Sequence, residues 1–271
     1  MKPQPAVALR VPGLPQPLQL QLHGEQDRVI SHRIRQEGIW EPYETELVMA
    51  LLGPGDIFVD VGANIGYFSV IAAALVGGQG AVHAFEPHPE NYRLLCENLA
   101  ANGLAGRAQT YCAGLSDSAG QARLFLSGDN SGDHQIYASS EKRDSQAITL
   151  LRGTEVEALA GSGIDLLKVD TQGSETRVLR GLLPLLLEQQ RPCRVLVELT
   201  PHSLREAGSS GRELIELLAQ LGQPMWMIEH LEHRLIAATA EELARWSDNW
   251  DEVPESRGFV NVLVGEAPPE R

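Results

Sequence analysis

Cysteine is scarce in this chain: three residues in 271, at positions 96, 112 and 193. So few thiols, so widely spaced, exclude a disulfide framework and a zinc site; they read as small buried apolar residues and point to a reducing, cytoplasmic setting. Long apolar runs are missing too, and nothing approaches the ~20 residues needed to span a bilayer. Prolines interrupt the opening MKPQPAVALRVPGLPQPL, where a secretion signal needs an unbroken apolar stretch. Basic excess is absent as well. Against 36 Asp and Glu stand 22 Lys and Arg, a net charge of −14 with no basic patch, which argues against nucleic acid and against an anionic membrane surface as partners. There is no internal repeat, and the biased segments are the proline-rich start and the tail EAPPER. What remains, 43% hydrophobic and 21% charged, is the composition of a soluble globular protein long enough for one large domain with additions.

The first 43 residues read as an accessory region. It leads into IWEPYETELVMALLGPGD, where Leu47, Ala50 and Leu51 fall at helical spacing and Gly53 and Pro54 stop the helix. From Asp56 strands and helices alternate: IFVDVG, AVHAFEP and AQTYCAGL as strands, with PENYRLLCENLAANG as an amphipathic helix between the last two. The stretch from Ala122 to Leu150 then reads as a hairpin or long loop inserted over one end of the sheet, the kind of segment that often carries function. LLKVD, SETRVLRGLLPLL, RVLVELTP and GRELIELLAQLG resume the alternation, and PMWMIEH with FVNVLVGE closes it as a pair of strands. This order predicts a doubly wound α/β fold with a mostly parallel, seven-stranded, Rossmann-like sheet over residues 44–265, and a tail at 266–271.

In such a sheet, ligands sit outside the carboxyl ends of the strands. Gly62 and Gly66 bracket the turn after the first strand, Asp60 ends that strand, and Glu86 lies twenty residues beyond Gly66 at the end of the second. Glycines there allow positive φ and close approach to the backbone, and an acid at that distance suits ribose hydroxyls. The loop reads G-A-N-I-G without the middle glycine of a dinucleotide fingerprint, and the Asp60 carboxylate disfavours a pyrophosphate but accepts bonds from an ammonium. S-adenosylmethionine has that cationic end and no phosphate.

Three motifs in order, D-V-G-A-N-I-G-Y-F-S, F-E-P-H-P-E-N and L-K-V-D-T-Q-G-S-E-T-R-V-L-R-G, resemble the FkbM family of S-adenosylmethionine-dependent methyltransferases from about Glu44 to Gly222, including the S-G-D-H segment. The resemblance implies a class I methyltransferase fold and small-molecule tailoring, of natural products or saccharides; oxygen is the expected acceptor atom, with nitrogen and carbon left open. It implies that Asp60, Gly62, Asn64, Gly66 and Tyr67 line the methionine portion and that Glu86 and Pro87 take the ribose. Gly114, Leu115 and Ser116 would border the adenine, and Asp170 would lie beside the sulfonium. Gln172 stands where the family pattern D-x-E-G-x-E has an acid, so no catalytic role is expected of it.

A hydroxyl acceptor benefits from a general base that titrates near neutrality. His134, in the inserted DNSGDHQIY, is the first candidate, with Asp170 beside it as a catalytic group. Asp133 and Glu198 are second choices as base. Asn130, Asp133 and Glu198 are the candidate substrate residues. Asp170 has a plainer reading as a helix cap, and Glu175 as a partner of a helix N-terminus. The histidines of HLEH, 230–233, read as a surface loop, and no metal is expected. The partner is a small-molecule acceptor, with oligomeric state open. The competing functions are a nicotinamide-dependent NAD(P) oxidoreductase, which the missing glycine disfavours, and a non-catalytic S-adenosylmethionine-binding domain.

Overall fold

The computed structural model describes residues 6–138, 143–161, 163–251 and 258–269; residues 1–5 of the accessory region, 139–142 of the insertion and 270–271 of the tail lie outside the described residues. The chain opens with β1 (Val7–Ala8), β2 (Gln19–Leu20), α1 (Ile30–Glu37) and α2 (Pro42–Leu51). Then come β3 (Ile57–Val61), α3 (Tyr67–Leu75), β4 (Ala81–Phe85), α4 (Pro89–Ala101) and β5 (Ala108–Tyr111), followed by β6 (Gly114–Ser116), β7 (Gly120–Phe125), β8 (Ser145–Arg152) and α5 (Glu157–Ala160). The second half runs β9 (Leu166–Val169), α6 (Glu175–Glu188), β10 (Arg194–Leu199), α7 (Pro201–Glu206) and α8 (Gly211–Ala219). It ends with β11 (Met225–Glu229), β12 (Arg234–Ala238), α9 (Ala240–Asp251) and β13 (Val260–Val264).

The main sheet has eight strands in the order β12-β11-β13-β10-β9-β3-β4-β5. Its ladders from β10 to β5 are parallel, and those of β13 with β10 and β11, and of β11 with β12, are antiparallel. This is the doubly wound α/β sheet expected, widened from seven strands to eight by β12. RLIAA alternates only weakly, and its side chains stay mostly outside the core. The expected strand AQTYCAGL divides at Cys112 and Ala113: β5 stays in the main sheet, and β6 joins β8 and β7 in a separate three-stranded sheet built by the insertion.

Strands buried on both faces read as near-continuous apolar runs because each face meets a helical layer. Phe58 of β3 packs with Leu166, Leu196 and Leu263 toward α2, α3 and α4, while Val59 and Val61 pack with Leu167, Val169 and Val195 toward α6, α8 and α9. The accessory region joins the first layer through Val11, Leu18, Leu20, Ile30 and Ile34. Asn98 of α4 stitches it down, accepting from Gln21 N at 2.6 Å and donating to Gln21 O at 3.0 Å. From β3 the chain steps outward to β5, then returns to the other side of β3 with β9. The strand order therefore reverses between β3 and β9, and their carboxyl ends form the crevice where such sheets bind ligands.

Candidate active site

Gly62 follows β3 and Asp170 follows β9 at this reversal. Gly62 has φ of 87°, and a Cβ there would collide with the Asp170 carbonyl oxygen, so the two loops touch where glycine alone fits. The Gly62 and Ala63 N–H groups both donate to Phe85 O at 3.0 Å, turning the chain away from the strand. Gly66 has φ of 86° and lies against Leu95 of α4; it closes the turn and packs helices, and it lines neither cavity described below.

Two connected hollows share this floor. The larger is a cleft of about 990 Å³ lined by Asp60, Gly62, Asn64, Tyr67, Asn130, Asp133, Asp170 and Glu198 among others. The smaller, about 50 Å³, is lined by Glu86, Pro87, Gly114, Leu115, Ser131 and His134, and shares Gly62, Asn64, Asp170 and Gln172 with the cleft. Ser116 borders neither. It is buried in β6, where its hydroxyl donates to Asp117 Oδ1 at 3.2 Å, while the preceding Gly114 and Leu115 line the smaller hollow.

Glu86 is buried at the end of β4. Its two oxygens accept from Asn64 N and His88 N, each at 2.8 Å, which holds both oxygens in place. Burial lifts its pKa to about 7, against the pull of those two N–H bonds. Asp60, also buried, accepts from Ser69 Oγ at 2.6 Å; burial raises its pKa, offset in part by Lys168. Tyr67 donates to Thr45 Oγ1 at 3.0 Å, since that hydroxyl is itself donating to Trp40 O at 2.8 Å. Burial pushes the Tyr67 phenol up to about 12, so it stays protonated.

His134 does not stand over the cleft. Its Nδ1 accepts from Ser127 N at 3.1 Å, its ring packs edge-on against His88 at 4.6 Å between centroids, and burial lowers its pKa to about 4. That is a neutral, weakly basic imidazole on the Glu86 side, lining the smaller hollow and not the cleft. The insertion is pulled there by Asp27 of the accessory region, which accepts from Ser131 Oγ at 2.8 Å, and by pairing of Phe125 with Gln135. Asp133 pairs with Arg143 at 2.8 Å, and Asn130 Oδ1 accepts from Gly132 N at 3.0 Å.

At the cleft's inner end the carboxyls gather. Gln172 has a left-handed backbone, with φ of 52°, and its Nε2 donates to Asp170 Oδ1 at 2.8 Å and to Glu198 Oε1 at 3.0 Å. Lys168 Nζ meets Asp170 Oδ2 at 3.3 Å and lies 4.7 Å from the centre of the Phe68 ring. Asp170 therefore caps no helix: both of its oxygens are held by side chains. Glu175 bonds the loop instead, accepting from Thr171 N at 2.8 Å and Gly173 N at 2.9 Å. Glu198 Oε1 also accepts from Thr200 Oγ1 at 2.8 Å. Burial, with Asp170 and Glu175 nearby, pushes the Glu198 pKa well above the ordinary carboxylate value.

Several cleft residues lay outside the sequence expectations. Glu41 and Lys168 join the acidic end, with Glu44 buried behind them, and His230 and His233 of HLEH flank the cleft instead of facing only solvent. His233 stacks on Tyr43 at 5.1 Å, and Asn261 of β13 donates to Glu44 and lies 3.3 Å from His230 Nε2. Among the described residues the non-glycine positions with positive φ are Glu41, Asn64, Gln172 and His233, and each lines the cleft. Strained backbone collected in one place is a mark of a functional site. Among the described residues no group of three or more His, Cys, Asp or Glu is arranged to hold a metal ion, and no helix is long and apolar enough to cross a membrane.

A chain with this reversal, these glycines and these acids falls among Rossmann-like α/β proteins, and comparison narrows the class. Residues 60–225 match the methyltransferase FkbM domain, and the chain belongs to that family. A 31-O-demethyl-FK506 methyltransferase of Streptomyces tacrolimicus is 33% identical over 161 residues, covering 48% of this chain and 61% of that protein. A methyltransferase of Sordaria araneosa is 29% identical over 164 residues, covering 49% and 63%. The chain thus spans about three fifths of the length of these relatives. Among solved structures, an S-adenosylmethionine-dependent O-methyltransferase of Thermotoga maritima aligns with a TM-score of 0.42 and 14% identity, over 93% of this chain and 75% of that one.

Proposed function

We propose that the protein is an S-adenosylmethionine-dependent methyltransferase that acts on a hydroxyl of a small molecule in natural-product or saccharide tailoring. The observation that carries this reading is the cleft of about 990 Å³ at the strand-order reversal, which joins the Asp60–Gly62 turn to the Asp170 and Glu198 carboxyls. The donor chemistry fits the cofactor. Glu86 presents two fixed carboxylate oxygens to the two ribose hydroxyls, Asp60 and the backbone after it suit an ammonium, and Gly114 and Leu115 offer an apolar edge for a base. The smaller hollow is far below the ~300–1,000 Å³ of ordinary small-molecule sites, so residues 131–136 must draw back to seat a nucleoside. When bound, S-adenosylmethionine supplies an electrophilic methyl group on a sulfonium.

Glu198 takes the role of base in place of His134. Gln172 and Thr200 both hold its Oε1, and its raised pKa makes it a stronger base than a solvated carboxylate once it is ionised. The acceptor O–H bond breaks toward Glu198 as the new C–O bond forms, and the electron pair of the broken methyl–sulfur bond remains on sulfur. Positioning and water exclusion in the cleft supply the rest of the rate. The name of the Streptomyces relative, with its oxygen acceptor, supports O-methylation. The thiols Cys96, Cys112 and Cys193 are free, which suits a cytoplasmic setting. Incubation with trideuteromethyl-labelled cofactor and a metabolite extract, followed by mass spectrometry, tests the reading: a trideuteromethylated product is expected. Tight S-adenosylhomocysteine binding without any such product would leave a non-catalytic binding domain.

A further inference from the structure

The family match and the cleft do not coincide. Part of the lining, from Asp60 through Glu198 to Glu206, lies inside residues 60–225; the rest, Arg33 and Trp40 to Tyr43 with His230, Leu231, His233 and Phe259 among it, lies outside them. If the matched part serves the cofactor, the unmatched part faces the acceptor. This step rests on the methyltransferase reading above.

The charge of the cleft as a whole is unbalanced, and Glu41 is the carboxyl contributed by the unmatched part. Six carboxyls line the cleft (Glu41, Asp60, Asp133, Asp170, Glu198 and Glu206) against three cations, Arg33, Arg143 and Lys168. Each cation is already paired: Arg33 with Glu37 at 3.1 Å, Arg143 with Asp133 at 2.8 Å and Lys168 with Asp170 at 3.3 Å. Glu41 is the sharpest case. It is held with φ of 42° and ψ of 73° at the start of α2, and its Oε2 is shut off from solvent with no hydrogen-bond partner. The groups that face it are Glu44, Lys168 and Asp170, with Glu198 and His230 within its field. His230, its pKa lowered by burial, adds no fixed positive charge. At the mouth, Leu231 is 93% exposed and Phe259 52% exposed, an apolar rim above an acidic floor.

We infer that the acceptor carries a protonated amine beside its hydroxyl, on an apolar body, and that Glu41 is the counter-charge that selects it. A carboxyl buried without a cation keeps its proton; an ammonium brought beside it favours the ionised form and strengthens the contact. Burial, and then the neighbouring Glu44 carboxyl, hold the Glu41 pKa well above the ordinary value, against the pull of Lys168. Amine binding therefore releases a proton and tightens as pH rises through that range. A phosphate or carboxylate on the acceptor would meet the same field as repulsion.

Three probes on one skeleton test this by calorimetry in saturating S-adenosylhomocysteine: trans-4-aminocyclohexanol, 1,4-cyclohexanediol and 4-hydroxycyclohexanecarboxylate, at pH 6 and pH 8. The amine is expected to bind at least tenfold tighter than the diol, with a wider gap at pH 8 and no binding of the carboxylate. Glu41→Gln should close the gap and leave S-adenosylhomocysteine affinity within threefold. Equal binding of amine and diol, a preference for the carboxylate, no binding by any of the three, or a gap that survives in Glu41→Gln overturns the inference. The wild-type comparison stands without the variant. Failure of S-adenosylhomocysteine itself to bind overturns the methyltransferase reading beneath it.

Discussion

Replacing Glu86 by glutamine removes one carboxylate oxygen from a group that does two jobs. In the free protein its oxygens satisfy the N–H groups of Asn64 and His88; on the proposed reading they also accept from the ribose in the complex. Burial places its pKa at about 7, so near neutrality about half of the free protein carries a proton there, and binding the ribose favours the ionised form. Taking a bound-state pKa near the ordinary carboxylate value, the affinity for S-adenosylhomocysteine should rise about tenfold from pH 6 to pH 8, roughly 1.4 kcal/mol, with up to one proton released at the lower pH. In Glu86→Gln a charge-assisted bond is lost. Affinity at pH 8 should fall about ten- to a hundredfold, on the order of 1.5–3 kcal/mol, and the pH dependence should flatten. Calorimetry in two buffers of different ionisation enthalpy reads both affinity and proton release. The same group also affects stability: its folded-state pKa lies above the unfolded value, so the folded protein holds the proton longer and its stability declines as pH rises from about 4.5 through 7. A wild-type affinity flat across that range, or an unchanged Glu86→Gln variant, would place the ribose elsewhere.

Glu198→Gln should lower methyl transfer about a hundredfold or more with cofactor affinity nearly unchanged, while His134→Ala should cost less than tenfold in turnover; rates measured in parallel decide which residue is the base. In Gln172→Glu, a donor shared by Asp170 and Glu198 becomes a third acid. The folded-state pKa of Glu198, already raised, then rises further, so the fall in melting temperature should be larger at pH 8 than at pH 6, read by differential scanning calorimetry. Gly62→Ala forces a side chain into a left-handed backbone against the Asp170 carbonyl and should cost at least about 2 kcal/mol in urea unfolding.

Much of the cofactor half could be read from the sequence, because its signals are local. A buried strand, a glycine turn and an acid at the next strand's end lie within thirty residues of one another, and Asp60, Gly62 and Glu86 meet as the spacing requires. The acceptor half could not be read this way. Glu44 and Asn261 are 217 positions apart and touch because β13 inserts between β10 and β11, a register no single sequence reveals. HLEH reads as solvent loop because Leu231 is one, yet His230 is half-buried beside Asn261 and the exposed His233 stacks on Tyr43. For His134 the inserted segment was the right place to look, but its docking to Asp27 was not visible, since a serine and an aspartate 104 residues apart carry no mutual signature.

The division of the cleft between matched and unmatched segments separates two degrees of physical constraint. The floor is contact-limited: Gly62 cannot accept a side chain, and Glu86 is tied to two backbone N–H groups, so drift there breaks the turn itself. The facing rim is built on a hairpin tip and a helix entry, where loops tolerate insertion and replacement. On the proposed reading, exchange of residues 40–43 and 230–233 alters the acceptor side and leaves the Gly62 turn and Glu86 as they are. The same boundary marks where a designer should cut when grafting one relative's selectivity onto another's chemistry.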